Sequence, residues 1–316
     1  MFTRRLQLAA LPTPLHRLER LSASAGADVW AKRDDLTGYA LGGNKVRKAE
    51  YLLADALEQG ATAVITAGAL QSNHARVVAV ASSRCGLSCH LVLSGPAGAP
   101  VVGNLALDRL AGAAVHRVDT SAEREVRMAD LAEQLRRAGE RPYTIPVGGS
   151  NWMGAQGYAA AAAELAAQLA ALPEAPTRVL FATSSGGTAA GLAAGRAATG
   201  ARFGLLGVRV DRDPDAEAAI LGVARVLAER LGAAAPIAAG DIALEEGFVG
   251  EGYGVPSAEG QAAVERLWRE EGLLLDPVYT AKAIAGLLAL AARGAFAGER
   301  VVFLHTGGGP ALVAER

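Results

Sequence analysis

Cysteine is nearly absent: only Cys85 and Cys89 occur in 316 residues. Two thiols give no disulfide framework and no CxxC pair for zinc, and the count suits a reducing compartment. No charge sign is in excess, with 31 Lys and Arg against 32 Asp and Glu and a net charge of -1. Nothing in that balance suggests a nucleic-acid or membrane-surface binder, which would need a basic face. Long apolar runs are also missing; "AIAGLLALAARGAFAG" is alanine-rich, interrupted by an arginine and too short to span a bilayer. Pro12 and Pro14 break the N-terminal "MFTRRLQLAALPTPLHRL" where a signal-peptide core would have to run. There is no internal repeat, low-complexity linker or long charge run. What remains, 51% hydrophobic and 20% charged residues, is the balance of a compact globular protein. Its length suits two domains. A soluble cytoplasmic enzyme is the default expectation.

Extended and helical patterns alternate almost from the start. "DVWAKRD" reads as extended and "NKVRKAEYLLADALEQG" as a helix stopped by Gly60. "TAVITAG" is a short buried strand, and "SNHARVVAVASSRCG" follows as a helix with Ser72 available as its N-cap. "CHLVLSG" and "AVHRVD" are further strands, and "SAEREVRMADLAEQLRRAGE" is an amphipathic helix with a capping-type start. The alanine-rich helix "GAQGYAAAAAELAAQLAAL" precedes the strand, turn and helix of "TRVLFATSSGGTAAGLAAG"; "GLLGVRV" and "VVFLHTGG" are the last strands. This rhythm predicts α/β layering with mostly parallel sheets.

Two strand-to-helix turns invite an anion. In "FATSSGGTAAGL" (181–192), a strand runs into glycines and hydroxyl residues at a helix start, where free N–H groups and the positive dipole end would cradle a phosphate. The stretch lacks the lysine of GxxxxGK[ST] and the spacing of GxGxxG, so neither an NTPase nor a dinucleotide site is indicated. A tight packing turn is the plain alternative. "GALQSNHARV" (68–77) has the same shape, with Ser72, Asn73 and His74 at a helix mouth suited to a carboxylate; ordinary capping would look the same. In "GGNKVRKAEYLL" (42–53), Lys45 sits at a helix N-terminus with Arg47 and Lys48 beside it. Positive potential disfavours the ammonium form, and only a neutral amine attacks a carbonyl. A solvated basic helix start is the bland reading. "GYGVPS", "LLLDPVYTAKA" and "FLHTGGGPAL" add Tyr253, Tyr279, Thr280 and Thr306 as hydroxyl donors, or as packing residues.

In this order, "PTPL", "KRDDLTG", "GGNK", "ITAGALQSNHAR", "PVGGSN", "SSGGTAAGL", "GYGVP", "DPVYT" and "HTGGGPAL" resemble a family of pyridoxal-phosphate enzymes, that of 1-aminocyclopropane-1-carboxylate deaminase and D-cysteine desulfhydrase. The blocks run from residue 12 to near the C-terminus. The resemblance implies the tryptophan-synthase-β-like fold (fold type II): two open twisted α/β domains with pyridoxal 5'-phosphate between them. The small domain, 47–155, would be inserted between 1–46 and 156–316 of the large one. It further implies that Lys45 is the Schiff-base lysine and that Ser184, Ser185, Gly186, Gly187 and Thr188 bind the phosphate. Asn73 would touch the ring oxygen, and Ser72, Asn73 and His74 would hold the substrate carboxylate, Ser72 also near the reacting carbon. Tyr253 and Tyr279 would face the substrate, while Thr280 and Thr306 would stand near the ring as neutral groups.

Ring-opening members typically carry glutamate, glutamine and leucine where this chain has Thr280, His74 and Thr306, so the resemblance leans to the desulfhydrase side. Neutral threonines would make the ring a weaker electron sink, enough where a β-substituent leaves with the electrons. The expectation is β-elimination from a small amino acid, D-cysteine first, giving pyruvate, ammonia and hydrogen sulfide. Cysteate, D-serine, chloroalanine or the cyclopropane amino acid on the same scaffold, or a non-catalytic amino-acid binder, are the alternatives. A homodimer is also implied, with no nucleic-acid, membrane or metal partner. Ser184, Ala189, Val77, Val78 and Ala281 depart from the family's usual residues, at positions bearing on substrate choice.

Overall fold

A computed structural model of the chain describes residues 2–310. The block "HTGGGPAL" runs past its end, so Ala311 and Leu312 lie outside the described residues. The chain opens with β1 (Leu15–Arg17), α1 (Glu19–Ala25) and β2 (Asp28–Lys32). Next come α2 (Asn44–Glu58), β3 (Ala63–Ala69), α3 (Asn73–Arg84), β4 (Ser88–Ser94), α4 (Gly103–Leu110), β5 (Ala114–Val118), α5 (Glu123–Arg137) and β6 (Pro142–Thr144). The remainder is α6 (Trp152–Ala170), β7 (Thr177–Thr183), α7 (Gly187–Thr199), β8 (Gly204–Arg209), α8 (Ala216–Leu231), β9 (Ala243–Glu245), α9 (Ala258–Glu271), α10 (Thr280–Ala292) and β10 (Arg300–Leu304).

Two sheets form. One has the order β1-β2-β10-β7-β8-β9 and is parallel except for the β1–β2 pair. The other, β5-β4-β3-β6, is parallel throughout. The chain therefore enters the larger sheet, leaves to build the smaller one and returns, as an α/β fold of two sheets. Alternation along each strand decides which helices cover which face. Val179 and Phe181 of β7 pack with Val302 of β10 under α6, α7 and α8. Their neighbours Leu180, Val301 and Phe303 face the other way, towards α1, α9 and α10. In the smaller sheet Val64, Leu91 and Leu93 meet α2, α3 and α4, whereas Ile65, Ala67 and Val92 meet Met128 and Leu131 of α5. Each such buried valine, leucine, isoleucine, phenylalanine or methionine contributes about 1.5–3 kcal/mol.

The alanine and glycine content of α6 and α7 has a packing reason. A Cβ on Gly191 would lie 2.3 Å from the Ala155 carbonyl oxygen, and one on Gly157 would lie 2.2 Å from that of Arg47. Small residues thus let α6 press its backbone against both α2 and α7. Among the described residues no helix is long and apolar enough to cross a membrane.

Two expectations need correction. The capping-type start expected for α5 has no side-chain cap on its first turn from Ala122; instead Glu123 reaches back, accepting from the Thr120 hydroxyl at 2.6 Å and the Asp119 N–H at 3.4 Å. Arg47 does not crowd Lys45 either. It is buried in α2 and pairs with Asp34 at 2.8 Å and Glu164 at 2.9 Å, while the Tyr158 hydroxyl donates to Asp34 at 2.6 Å. That network ties "KRDD", α2 and α6 together, and it holds the Asp34 carboxyl below its usual range through Arg47 despite burial.

Candidate active site

Parallel strands end at the same edge, so the turns after β3, β7 and β10 converge. They line one cleft of about 350 Å³, together with the start of α2. Gly42 and Gly43 make the approach to α2 possible: both have positive φ (70° and 104°), and a Cβ on Gly43 would lie 2.9 Å from the Thr306 carbonyl oxygen. The turn closes with the Asn44 N–H donating to that oxygen at 3.0 Å. Lys45 follows and lines the cleft, its Nζ 3.4 Å from the Gly148 carbonyl oxygen.

Burial lowers the Lys45 amine to about 8. The cause is therefore removal from water rather than the neutralised Arg47. Lys48, one turn on and 1% exposed, donates to the same Gly148 oxygen at 3.1 Å; burial, then the charge of Lys45, pushes its amine well below the usual lysine value. Sequence reasoning treated Lys48 only as a charged neighbour. Its placement is informative: a Cβ on Gly187 would lie 2.8 Å from Lys48 Nζ, so this cation stands at the mouth of the turn after β7.

That turn is a cradle of donors. Among the described residues the amides of Ser185, Gly186, Thr188 and Ala189 have no hydrogen-bond partner, and Gly187 donates to Ser150 Oγ at 3.2 Å. Ser150 in turn donates to Ser185 Oγ at 2.9 Å, and Asn44 Nδ2 to Thr188 Oγ1 at 3.1 Å. Ser184 also lines the cleft. Unpaired N–H groups at a helix start, beside a buried lysine amine that an arriving anion would favour in its charged form, make a site for a dianionic phosphate.

Opposite lies the start of α3. Ser72 caps it, its Oγ accepting from the Ala75 N–H at 3.2 Å, which leaves the hydroxyl proton free. The Asn73 and His74 amides have no partner among the described residues. Asn73 Oδ1 accepts from Arg76 and Asn104, both at 2.9 Å, so its Nδ2 is the end left to donate. The His74 ring turns inwards: Nε2 is 2.9 Å from Thr66 Oγ1, whose single proton goes to the Ile145 carbonyl oxygen at 2.9 Å. Nε2 must then be the donor. Burial, followed by the charges of Lys45 and Lys48, keeps this imidazole well below the usual histidine range, hence neutral. What His74 offers the cleft is its amide.

Tyr253 and Tyr279 share a 2.6 Å hydroxyl–hydroxyl bond across an edge-on ring contact and line the cleft. Burial raises both phenols, so both stay protonated near neutral pH. Thr306 lines the cleft, but Thr280 is not among the lining residues. The Thr280 hydroxyl donates to Asp276 Oδ1 at 2.7 Å and accepts from the Asp276 N–H at 2.8 Å, closing the start of α10. The structure thus brings every expected site residue into one cleft except Thr280. Arg124 of α5 is a further lining residue that sequence reasoning missed; its Nε donates to Ser94 Oγ at 2.9 Å.

A buried lysine with a lowered amine, a phosphate cradle on one side and a carboxylate-sized donor set on the other define an enzyme that bonds a carbonyl cofactor to itself. The chain matches the family described as pyridoxal-phosphate dependent enzyme over residues 6–307, and it belongs to that family. It is 43% identical over 317 residues to D-cysteine desulfhydrase of Yersinia pestis (strain Pestoides F), covering 98% of this chain and 95% of that one. It is 42% identical to D-cysteine desulfhydrase of Klebsiella pneumoniae (strain 342) over the same shares. A solved structure of an "ACC deaminase homologue" superposes with a TM-score of 0.90 at 38% identity, covering 96% of this chain and 92% of that one. A pyridoxal 5'-phosphate-dependent aspartate racemase, at 18% identity and a TM-score of 0.66, shares the fold.

Proposed function

We propose that this lyase eliminates the β-substituent of a small amino acid, D-cysteine first, to give pyruvate, ammonia and hydrogen sulfide. The observation that carries the choice is that Thr306 lines the cleft while the Asp276 carboxylate, which does not line it, is used up capping α10; of the carboxylates that do line it, Asp211 is paired with Arg209 at 2.7 Å. Full-length identity to two D-cysteine desulfhydrases supports the same reading.

Bound pyridoxal phosphate supplies a carbonyl for the amine and an electron-withdrawing ring. Lys45 would hold it covalently, with the Ser184–Thr188 turn and Lys48 on its phosphate and Asn73 Nδ2 at its ring oxygen. The Asn73 and His74 amides and the Ser72 hydroxyl orient the substrate carboxylate. Lys45 Nζ, lowered to about 8 by burial, would be the group placed to take the Cα proton near neutral pH. The Cβ–S bond breaks with its electron pair on sulfur, and the protonated Tyr253–Tyr279 pair can return a proton to the departing sulfide. Water then completes the conversion to pyruvate and ammonia.

The division into 1–46 with 156–316 and 47–155 is supported by β1, β2 and β7–β10 sharing one sheet and β3–β6 the other. The free state of Cys85 and Cys89 supports a reducing, cytoplasmic setting. A homodimer follows from the family resemblance; light scattering tests it.

The deciding assay supplies D-cysteine, L-cysteine and 1-aminocyclopropane-1-carboxylate separately and measures sulfide, pyruvate and 2-oxobutanoate. Sulfide and pyruvate in equal amounts from D-cysteine are expected. No keto acid from either cysteine removes the reading, and 2-oxobutanoate alone replaces it with ring opening.

A further inference from the structure

Arg76 is among the largest side chains buried in the molecule, at 1% exposure, and no carboxylate touches it within salt-bridge distance among the described residues. Its donors go elsewhere. Nη1 donates to Asn73 Oδ1 at 2.9 Å and to Asn104 Oδ1 at 2.7 Å, and Nη2 donates to the Gly42 carbonyl oxygen at 3.2 Å. Asn104, on α4, donates Nδ2 to the same Asn73 oxygen at 2.9 Å and to the Gln71 carbonyl at 2.8 Å. Its own N–H is taken by Gln71 Oε1 at 2.9 Å. Two donors on one oxygen forbid the Asn73 amide from flipping. The same guanidinium grips the glycine turn that delivers Lys45.

The opposite charge is Asp108, one turn along α4 from Asn104, fully buried and with neither oxygen in a protein hydrogen bond. The two ions feel one another without touching: burial lowers Arg76 to about 10 and raises Asp108 to about 7, each opposed by the other's charge. Taking an arginine out of water with no carboxylate in contact is expensive, and apolar residues would fill the space at lower cost. A planar fork that reaches three acceptors in three segments is what a lysine or a methionine could not supply.

We propose that Arg76 is a positioning residue that fixes, in one rigid unit, the Asn73 amide and the Gly42–Gly43 turn ahead of Lys45, with Asn104 as second anchor. The proposal rests on the reading that Asn73 Nδ2 faces the cofactor's ring oxygen. It predicts that the separation between that donor and the attaching amine is held through α3 and α4 by Arg76 and Asn104, which do not line the cleft.

The test compares the holoenzyme with Arg76→Lys, Asn104→Ala and, as a control for lost packing, Leu105→Ala, a buried residue of α4 outside the network. Cofactor dissociation constant, absorption maximum of the bound cofactor, the kcat-against-KM split and melting temperature are measured for each. R76K and N104A are expected to bind cofactor about tenfold more weakly, the equivalent of one lost hydrogen bond to a charged group, to move the absorption maximum, and to lower kcat more than they raise KM. L105A should lose stability and leave the absorption maximum in place. Unchanged affinity and absorption in both R76K and N104A, with only the melting temperature falling, would overturn the proposal. If R76K does not fold, N104A alone decides. A wild type that shows no cofactor absorption at all would instead remove the underlying reading of the cleft.

Discussion

Replacing Lys48 by methionine keeps the volume and removes the charge. The loss has two opposite consequences. In the cofactor-free protein, Lys48 is a buried amine beside that of Lys45, and burial first, then the charge of Lys45, hold it well below the unfolded value. The unfolded chain then binds the extra proton, so acid favours unfolding, and stability rises with pH from the folded value up to that of a free lysine. Lys48→Met should therefore raise the melting temperature of the apoprotein at neutral pH and flatten its climb towards alkaline pH, at about 2–4 °C per kcal/mol for a chain of this order. The Gly148 carbonyl is not orphaned, because Lys45 Nζ still lies 3.4 Å from it. Towards the cofactor the sign reverses. A charge-assisted contact to phosphate contributes about 1.5–3 kcal/mol, so affinity should fall about 10- to 150-fold. Calorimetric melting of the apoprotein and titration with pyridoxal phosphate read the two effects separately. A variant whose apoprotein melts lower and whose cofactor affinity is unchanged would refute the placement of this cation at the phosphate cradle.

Attachment of cofactor to the apoprotein should quicken about tenfold per pH unit below the Lys45 value of about 8 and level off above it, since only the neutral amine attacks; a flat profile by stopped-flow absorbance would contradict that. Thr280→Val should cost about 1.5–3 kcal/mol in denaturant unfolding, for the lost bond to Asp276, and leave the bound-cofactor spectrum alone, whereas Thr306→Val should do the reverse. Swapped outcomes would put Thr280 in the cleft. Gly191→Ala should destabilise by about 1–3 kcal/mol or prevent folding, because its Cβ would meet the Ala155 carbonyl oxygen at 2.3 Å; full stability in urea would deny the close packing of α6 on α7.

Strands and helices whose pattern is set locally were legible. The helix from Asn44, the Ser72 cap and the two glycine-rich turns carry their signals within a few residues, and the structure builds them there. Three-residue strands such as β1, β6 and β9 exist only because a neighbour pairs with them, so no short window announces them. Helix α10 is buried along most of its length and apolar almost throughout, which erases the polar stripe that periodicity needs. Within the site, the turns were readable but the aims of long side chains were not. Arg47, Lys48, Arg76 and Arg124 look alike in sequence. Tertiary packing sends one to an ion network, one to the phosphate cradle, one to the Asn73 amide and one to the cleft wall. Thr280 misled for the same reason: its hydroxyl found a nearer partner in Asp276.

The seam in which α6 lies backbone to backbone against α2 and α7 has a bearing on how such a catalyst can diversify. A floor with no slack for even one added methyl locks the anchoring lysine and the phosphate turn as a single casting. New appetites then fall to lining side chains outside that floor, Tyr253 and Tyr279 on one bank and Ser121 and Arg124, reaching over from the smaller sheet, on the other.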